Sequence, residues 1–195
     1  KSGYVEHDAE EIYKNILLLI KKVSNKIKFH KNLFLSITNQ RETFVIFDTI
    51  TGKPLYNAIV WQCRRGQKIC DRINKSSKNR IILKKSTGLT LDTYFPAPKL
   101  VELLSKKNKL KQKLKNGTAL FGTIDTYIIY RLTNQKSYTT DFTNASRTLF
   151  FNNKSLKWSK DLLKVFGLNI KILPEVKESS SIFGYTNFNN ILKSD

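Results

Sequence analysis

Short apolar runs rich in β-branched and aromatic residues alternate along this chain with segments whose apolar residues recur every three or four positions. Two such periods in turn leave few ways to bury both kinds of surface: helices must be layered on a sheet. Asp8 offers an N-cap, and Glu11 stands at the reciprocal position of a capping box. Ile12, Ile16, Leu19, Ile20 and Val23 then predict a helix over 9–23. "LFLSI" (33–37) reads as a buried strand. "FVIFD" and "LYNAIVW" flank "TITGKP", a turn by its glycine and proline. A polar helix follows Arg64 to about Ser76. "STGLTLDTYFPAPKL" reads as a loop whose Pro96 and Pro98 introduce a helix to about Leu104. "ALFGTI" predicts a strand, "DTYIIYRLT" a helix, "SYTTDF" and "RTLFF" strands. "SKDLLKVFG" is a helix capped by Ser159 and stopped by Gly167, and "IFGYTNF" a last strand. The expected fold is α/β, a mixed sheet flanked by helices, with one hairpin inserted.

A chain of 195 residues, 40% of them hydrophobic, has room for one domain with a real core. No run approaches the ~20 apolar residues of a membrane span, and the start "KSGYVEHDAEE" lacks the order of a secretory signal. The chain holds no methionine, as expected of a piece cut from something longer. Cys63 and Cys70 are seven apart. On one helix they would share a face about 10 Å apart, too far for a disulfide, so two reduced, partly buried thiols of a cytoplasmic protein are expected. His7 and His30 have no ligand spacing around them, and no metal site is assigned. A net charge of +20 raises a nucleic-acid partner. Most of the excess is lysine, however, accompanied by abundant asparagine and isoleucine, as A/T-rich codons would produce. The run "SKKNKLKQKLKNG" (105–117) has Leu110 and Leu114 four apart and no aromatics for base stacking. It reads as a solvated face of a lightly anchored helix.

"TNQRE" (38–42) closes one apolar run and opens another. If 33–37 is a strand, Arg41 and Glu42 stand at its carboxyl end, where ligands of open α/β sheets lie. Arginine offers only donors and ionised glutamate only acceptors. Together they can bracket neighbouring hydroxyls, as in a polyol or sugar, whereas Glu42 would repel an anion. A solvated turn is the plain alternative. Trp61 follows an apolar strand and fits either the core or the carbon side of a polyol. Arg64 and Arg65 at a helix start oppose its dipole, so they are expected to serve another contact. Tyr94 and Phe95 lie in a proline-stiffened loop, suited to binding or to packing. "GTALFGTID" has two glycines at phosphate-loop spacing, but Thr123 and Ile124 stand at the lysine and hydroxyl positions. No nucleophile–base pair is evident. Asp48, Asp92, Asp125 and Asp141 are each explained by a turn or cap.

"GYVEHDAEEIY", "ITNQRETFVIFDTITGKPLYNAIVWQCRR", "STGLTLDTYF", "LFGTIDTYIIYRLT", "DFTNASRTLFF" and "LPEVKESSSIFG" occur in this order. Together they resemble the first domain of the glycerol kinases in the FGGY family of carbohydrate kinases. The resemblance implies an actin-like, ribonuclease-H-like architecture of two domains around a cleft. It implies transfer of the ATP γ-phosphoryl group to glycerol, with Mg2+, giving sn-glycerol 3-phosphate. By resemblance Arg41 and Glu42 match the glycerol-binding pair, Trp61 the aromatic against the glycerol carbons, and Tyr94 a tyrosine contacting a hydroxyl. Arg147, in "TNASRT", is a cleft candidate.

The resemblance also implies what this chain lacks. The family's opening phosphate-gripping hairpin precedes residue 1. Its aspartate base and its adenosine-holding second domain follow residue 195. No catalytic or cofactor-binding residue is therefore assigned within 1–195, read as a partial substrate-binding domain. Glu102 replaces a usual tryptophan and Pro98 a small residue. The chain alone is expected to be inactive and poorly stable. Its expected partners are glycerol and the remainder of the kinase, with a homo-oligomer left open. The alternatives are another FGGY sugar kinase, or a basic nucleic-acid-binding or scaffold protein derived from the fold.

Overall fold

The computed structural model describes residues 2–26 and 33–188. A short strand, β1 (Glu6–His7), leads into helix α1 (Ala9–Ser24), capped by Asp8, whose carboxylate accepts from the Glu10 and Glu11 amides. Strands β2 (Phe44–Asp48) and β3 (Pro54–Ile59) form the expected hairpin. Asp48 gathers the Ile50 and Thr51 amides in its turn, and Gly52 supplies the required φ of 65°. Helices α2 (Gln67–Asn74), α3 (Ser77–Thr87), α4 (Pro96–Lys106) and α5 (Asn108–Lys115) follow. Then come β4 (Ala119–Thr123), α6 (Ile124–Leu132), β5 (Thr139–Asp141) and α7 (Phe142–Ala145). β6 (Phe151–Asn152), β7 (Lys157–Trp158), α8 (Lys160–Phe166) and β8 (Glu175–Lys177) follow.

The central sheet runs β1-β3-β2-β4, every pair antiparallel. Parallel pairing occurs in the separate β5–β8 ladder. β2 explains the layering. Phe44 and Ile46 face one side and Val45 and Phe47 the other, and all four are buried. With apolar residues on both faces, the strand needs cover on both. Helices α2, α3, α4, α5 and α8 supply one cover through Ile69, Leu83, Leu100, Leu114 and Leu163. Helices α1 and α6 supply the other through Tyr13, Tyr127 and Ile128. Helix α5 buries Leu110 and Leu114 and turns its lysines outward, as its spacing predicts.

Several expectations change. Residues 33–37 are not a strand: among the described residues nothing forms a ladder with them, and Phe34 is 86% exposed. An apolar run becomes a strand only when a partner satisfies its backbone. Segment 182–188 likewise has no described ladder. Gly184 has a φ of 157° there, and Tyr185 is exposed. The last strand is instead the short, polar "EVK" of β8. In α1 the packed stripe comprises Ala9, Ile12, Tyr13, Ile16, Leu17 and Ile20, leaving Leu19 and Val23 exposed. Helix α3 escapes the periodicity reading because Ile81, Ile82 and Leu83 are consecutive. Its Ser76 N-cap and Gly88 C-cap were the available signals. "RTLFF" is mostly turn, with Leu149 at φ 66°.

Cys63 and Cys70 do not share a helix, since α2 starts only after Gly66, whose φ is 98°. Both thiols are free and buried, and burial pushes Cys70 up to about 12. Arg65 serves the other contact its position demanded. It pairs with Glu6, donates to the Cys63 sulfur at 3.0 Å and lies 4.6 Å over the Tyr4 ring.

Asp125, at the start of α6, is buried. Thr140 donates to its Oδ2 at 2.7 Å, while among the described residues Oδ1 has no partner. Burial raises its carboxyl to about 6, despite the hydrogen bond from Thr140. The folded chain therefore holds this proton more tightly than the unfolded chain. The resulting stabilisation is complete below the ordinary value near 3.8 and is lost as pH rises through about 6. Asp125→Asn is expected to stabilise the chain at pH 7 by about 1–3 kcal/mol. Urea unfolding at pH 4, 5, 6 and 7 should show the variant's advantage appear only above about pH 4 to 5. An equal offset at every pH would disprove it.

Candidate functional site

In an antiparallel pair the start of one strand lies opposite the end of the next. Phe44 pairs with Ile59 and with Thr123, so the residues just before β2 meet those just after β3 at one edge of the sheet. Arg41 and Glu42 thus stand ahead of the amino end of β2, rather than at the carboxyl end of a strand at 33–37. Glu42 is buried and Arg41 is exposed.

The other residues of "TNQRET" support this edge. The Asn39 amide donates to Asn144 Oδ1 at 3.0 Å. Thr43 Oγ1 donates to Gln40 Oε1 and accepts from the Trp61 amide at 3.2 Å. A hydroxyl, both donor and acceptor, is what such a relay needs. Glu42 and Trp61 are thereby tied through Thr43.

Arg147 completes the group. Its Nε donates to Glu42 Oε1 at 2.6 Å, and its guanidinium carbon lies 4.9 Å from the Phe95 ring centre and 5.8 Å from that of Tyr94. The Trp61 and Tyr94 rings are 5.4 Å apart at a tilt of 57°. Each such ring or cation contact contributes about 0.5–1 kcal/mol, so their value here is geometric: they hold four side chains around one place. Helix α7 positions Arg147. Asp141 caps it, accepting from the amide of Asn144. Burial alone would raise the Asp141 carboxyl, but hydrogen bonds from Ser179, Asn144 and Thr143 hold it below the usual range.

The structure therefore brings Glu42, Trp61, Tyr94 and Arg147 together, with Arg41 next along the chain at the surface. Among the described residues Glu42 Oε2, the Tyr94 hydroxyl and the Trp61 indole nitrogen take no hydrogen bond, and none of the three is a sealed buried atom. One anionic acceptor, one hydroxyl and two ring faces suit a small polyhydroxy compound. Sequence reading overlooked Asn39, Thr43, Asn144 and Lys99. The first three carry only the weak signal of polar residues beside an apolar strand. Lys99 carried a stronger one: it falls in line with Pro96 and Leu103 on the buried stripe of α4. Glu102 pairs along α4 with Lys106. Among the described residues no three His, Cys, Asp or Glu side chains gather as metal ligands, and no helix is long and apolar enough to cross a membrane.

These contacts can be set beside known proteins. A glycerol kinase of Borrelia garinii subsp. bavariensis is 48% identical over 186 residues, covering 94% of this chain and 37% of that protein. Glycerol kinase 2 of Sulfolobus acidocaldarius is 48% identical over 190 residues, covering 96% and 38%. The chain thus spans little more than a third of the relatives it matches. The crystal structure of Plasmodium falciparum glycerol kinase with ADP superposes with a TM-score of 0.86 at 39% identity, over 95% of this chain and 37% of that one. A ligand-bound xylulose kinase of Lactobacillus acidophilus gives 0.84 at 24% identity, over 98% and 38%, a likeness of fold alone. Helices on both faces of the sheet agree with the actin-like, ribonuclease-H-like architecture of these kinases. The model of the FGGY family of carbohydrate kinases, N-terminal domain, matches residues 1–193. With the match running through nearly every residue and the fold agreeing, this chain belongs to the FGGY family of carbohydrate kinases.

Proposed function

We propose that this chain is the polyol-recognising portion of a glycerol kinase, the enzyme class that transfers the γ-phosphoryl group of ATP to glycerol. The observation that carries the reading is the half-engaged carboxylate of Glu42. Arg147, whose guanidinium lies 5.8 Å from the Tyr94 ring centre, orients one of the carboxylate's oxygens and leaves the other as an acceptor. In this reading Glu42 Oε2 accepts from a glycerol hydroxyl. Arg41 reaches in from the turn to donate to a neighbouring one, and Trp61 covers the carbon side. Tyr94 presents its hydroxyl to the same molecule. Such a site selects a neutral polyol, because an anion would meet Glu42.

"GTALFGTID" lacks the lysine and hydroxyl of a phosphate loop at their positions. The chain's own part in phosphoryl transfer is to hold and orient the acceptor alcohol. In such reactions positioning is much of the catalysis. In this reading residues 1–195 act as part of the substrate-binding domain.

Calorimetric titration with glycerol tests this. The chain should release heat on binding. Arg41→Ala should weaken affinity about ten- to a hundredfold, the worth of a hydrogen bond from a charged donor. Equal affinity in the variant would remove Arg41 from the site, and no heat from the unaltered chain would overturn the polyol reading.

A further inference from the structure

Lys99 has no place in the recognition scheme above, yet it is wholly buried. A buried lysine pays for desolvation, and an apolar residue of the same length would avoid that penalty. The reason lies at its tip. Nζ donates to the backbone carbonyl of Tyr94 at 2.7 Å and approaches that of Trp61 at 3.4 Å. These carbonyls belong to two different segments, the turn after β3 and the loop before α4. A four-carbon stem ending in several donors can reach both at once.

The base of the lysine is fixed as firmly as its tip. A Cβ on Gly66 would stand 2.8 Å from the Pro98 carbonyl and 3.0 Å from the Lys99 amide nitrogen, so α2 starts against the backbone that carries Lys99. The Ala97 amide donates to the Thr148 carbonyl at 3.2 Å, joining the same turn of helix to the segment of Arg147. Lys99 is thus a strut between a rigid helix and two loop carbonyls.

We propose that Lys99 is a positioning residue of the polyol site. By holding the Trp61 and Tyr94 carbonyls to one point, it sets the separation of the two aromatic side chains. The proposal rests on the reading of that site as a polyol pocket only for its effect on affinity; the strut itself is a property of the ligand-free chain. Burial brings the amine down to about 7. Cys63, Glu42 and Asp92 draw it upward, and Arg65 pushes it down. Its hold on the carbonyls therefore weakens as the proton leaves near neutral pH.

Lys99→Met keeps the length and removes every donor. Heteronuclear NMR of the ligand-free chain should show the Trp61 indole and the Gln62 and Phe95 amides displaced, with resonances of β4 and α6 unchanged. Glycerol affinity should fall at least tenfold. Unmoved Trp61, Gln62 and Phe95 resonances would overturn the proposal. If the unaltered chain binds no glycerol, the polyol reading fails, while the resonance comparison still decides the strut. Should Lys99→Met not fold, the unaltered chain provides the test. The Trp61 indole and Phe95 amide must titrate with the same midpoint as the Lys99 Nζ signal, and unlinked midpoints would overturn it.

Discussion

Glu42→Ala is expected to abolish the heat of glycerol binding altogether, a larger loss than Arg41→Ala produces. The two residues differ in burial. Arg41 is exposed, so water can replace it as a donor to the ligand. Glu42 is 5% exposed, so its removal leaves a ligand hydroxyl facing a cavity with no acceptor, and an unmade buried hydrogen bond costs the desolvation of the group left alone. It also strands Arg147, whose only carboxylate partner among the described residues is Glu42. The guanidinium is then free to swing off Phe95 and Tyr94. Arg147 keeps a quarter of its side chain in solvent, so the stability loss should stay near 1–2 kcal/mol, below that for breaking a fully buried pair. Calorimetry beside urea unfolding separates the two effects. A folded Glu42→Ala chain that binds glycerol with unaltered affinity would refute the role given to this carboxylate.

Phe47→Ala is expected to cost about 3–5 kcal/mol of stability, on the order of half the stability of an ordinary domain. Phe47 is fully buried, on the face of β2 opposite Phe44. Its ring lies 5.5 Å from Tyr127, 5.1 Å from Tyr130 and 6.3 Å from Tyr138. The surroundings cannot readily close over the gap. Tyr130 is anchored by its hydroxyl to the Thr49 carbonyl, and Tyr138 to the carbonyls of Phe121 and Ile172. A Cβ on Gly122 would come within 3.2 Å of the Phe47 ring, so the strand beside it is already in close contact. Urea midpoints measure the loss, with Ile81→Ala on the exposed face of α3 as a control expected within about 0.5 kcal/mol. A loss no greater than the control's would mean that the α1–α6 side of the sheet contributes little to folding.

Much of the α/β layering was legible because its signals are local. Asp8, Ser159 and Gly167 delimit helices through hydrogen bonds spanning two to four residues. Leu110 and Leu114 declare a one-sided helix by spacing alone. The misreadings share one cause. "LFLSI" and "IFGYTNF" have strand composition, but a strand exists only through a partner, and composition does not name one. "EVK" has no strand composition, yet pairs in parallel with Thr139–Asp141 because the fold lays it there. At the candidate site, Glu42, Trp61 and Tyr94 could be picked out by residue type and by resemblance. The pairing of Glu42 with Arg147 crosses 105 positions, and neither residue bears any mark of the other.

The sequence by itself therefore determined which stretches could become helix or strand, which kinds of surface had to be covered, and which side chains could meet a polyol. Only the tertiary structure decided that the start of β2 and the end of β3 share an edge. It alone showed that Arg147 orients Glu42 and that Lys99 ties together the two aromatic-bearing loops. The physical reason is range. Caps, turns and periodic stripes act between neighbours in the chain, whereas a site is closed by hydrogen bonds and ring contacts between residues that only folding brings within a few ångströms.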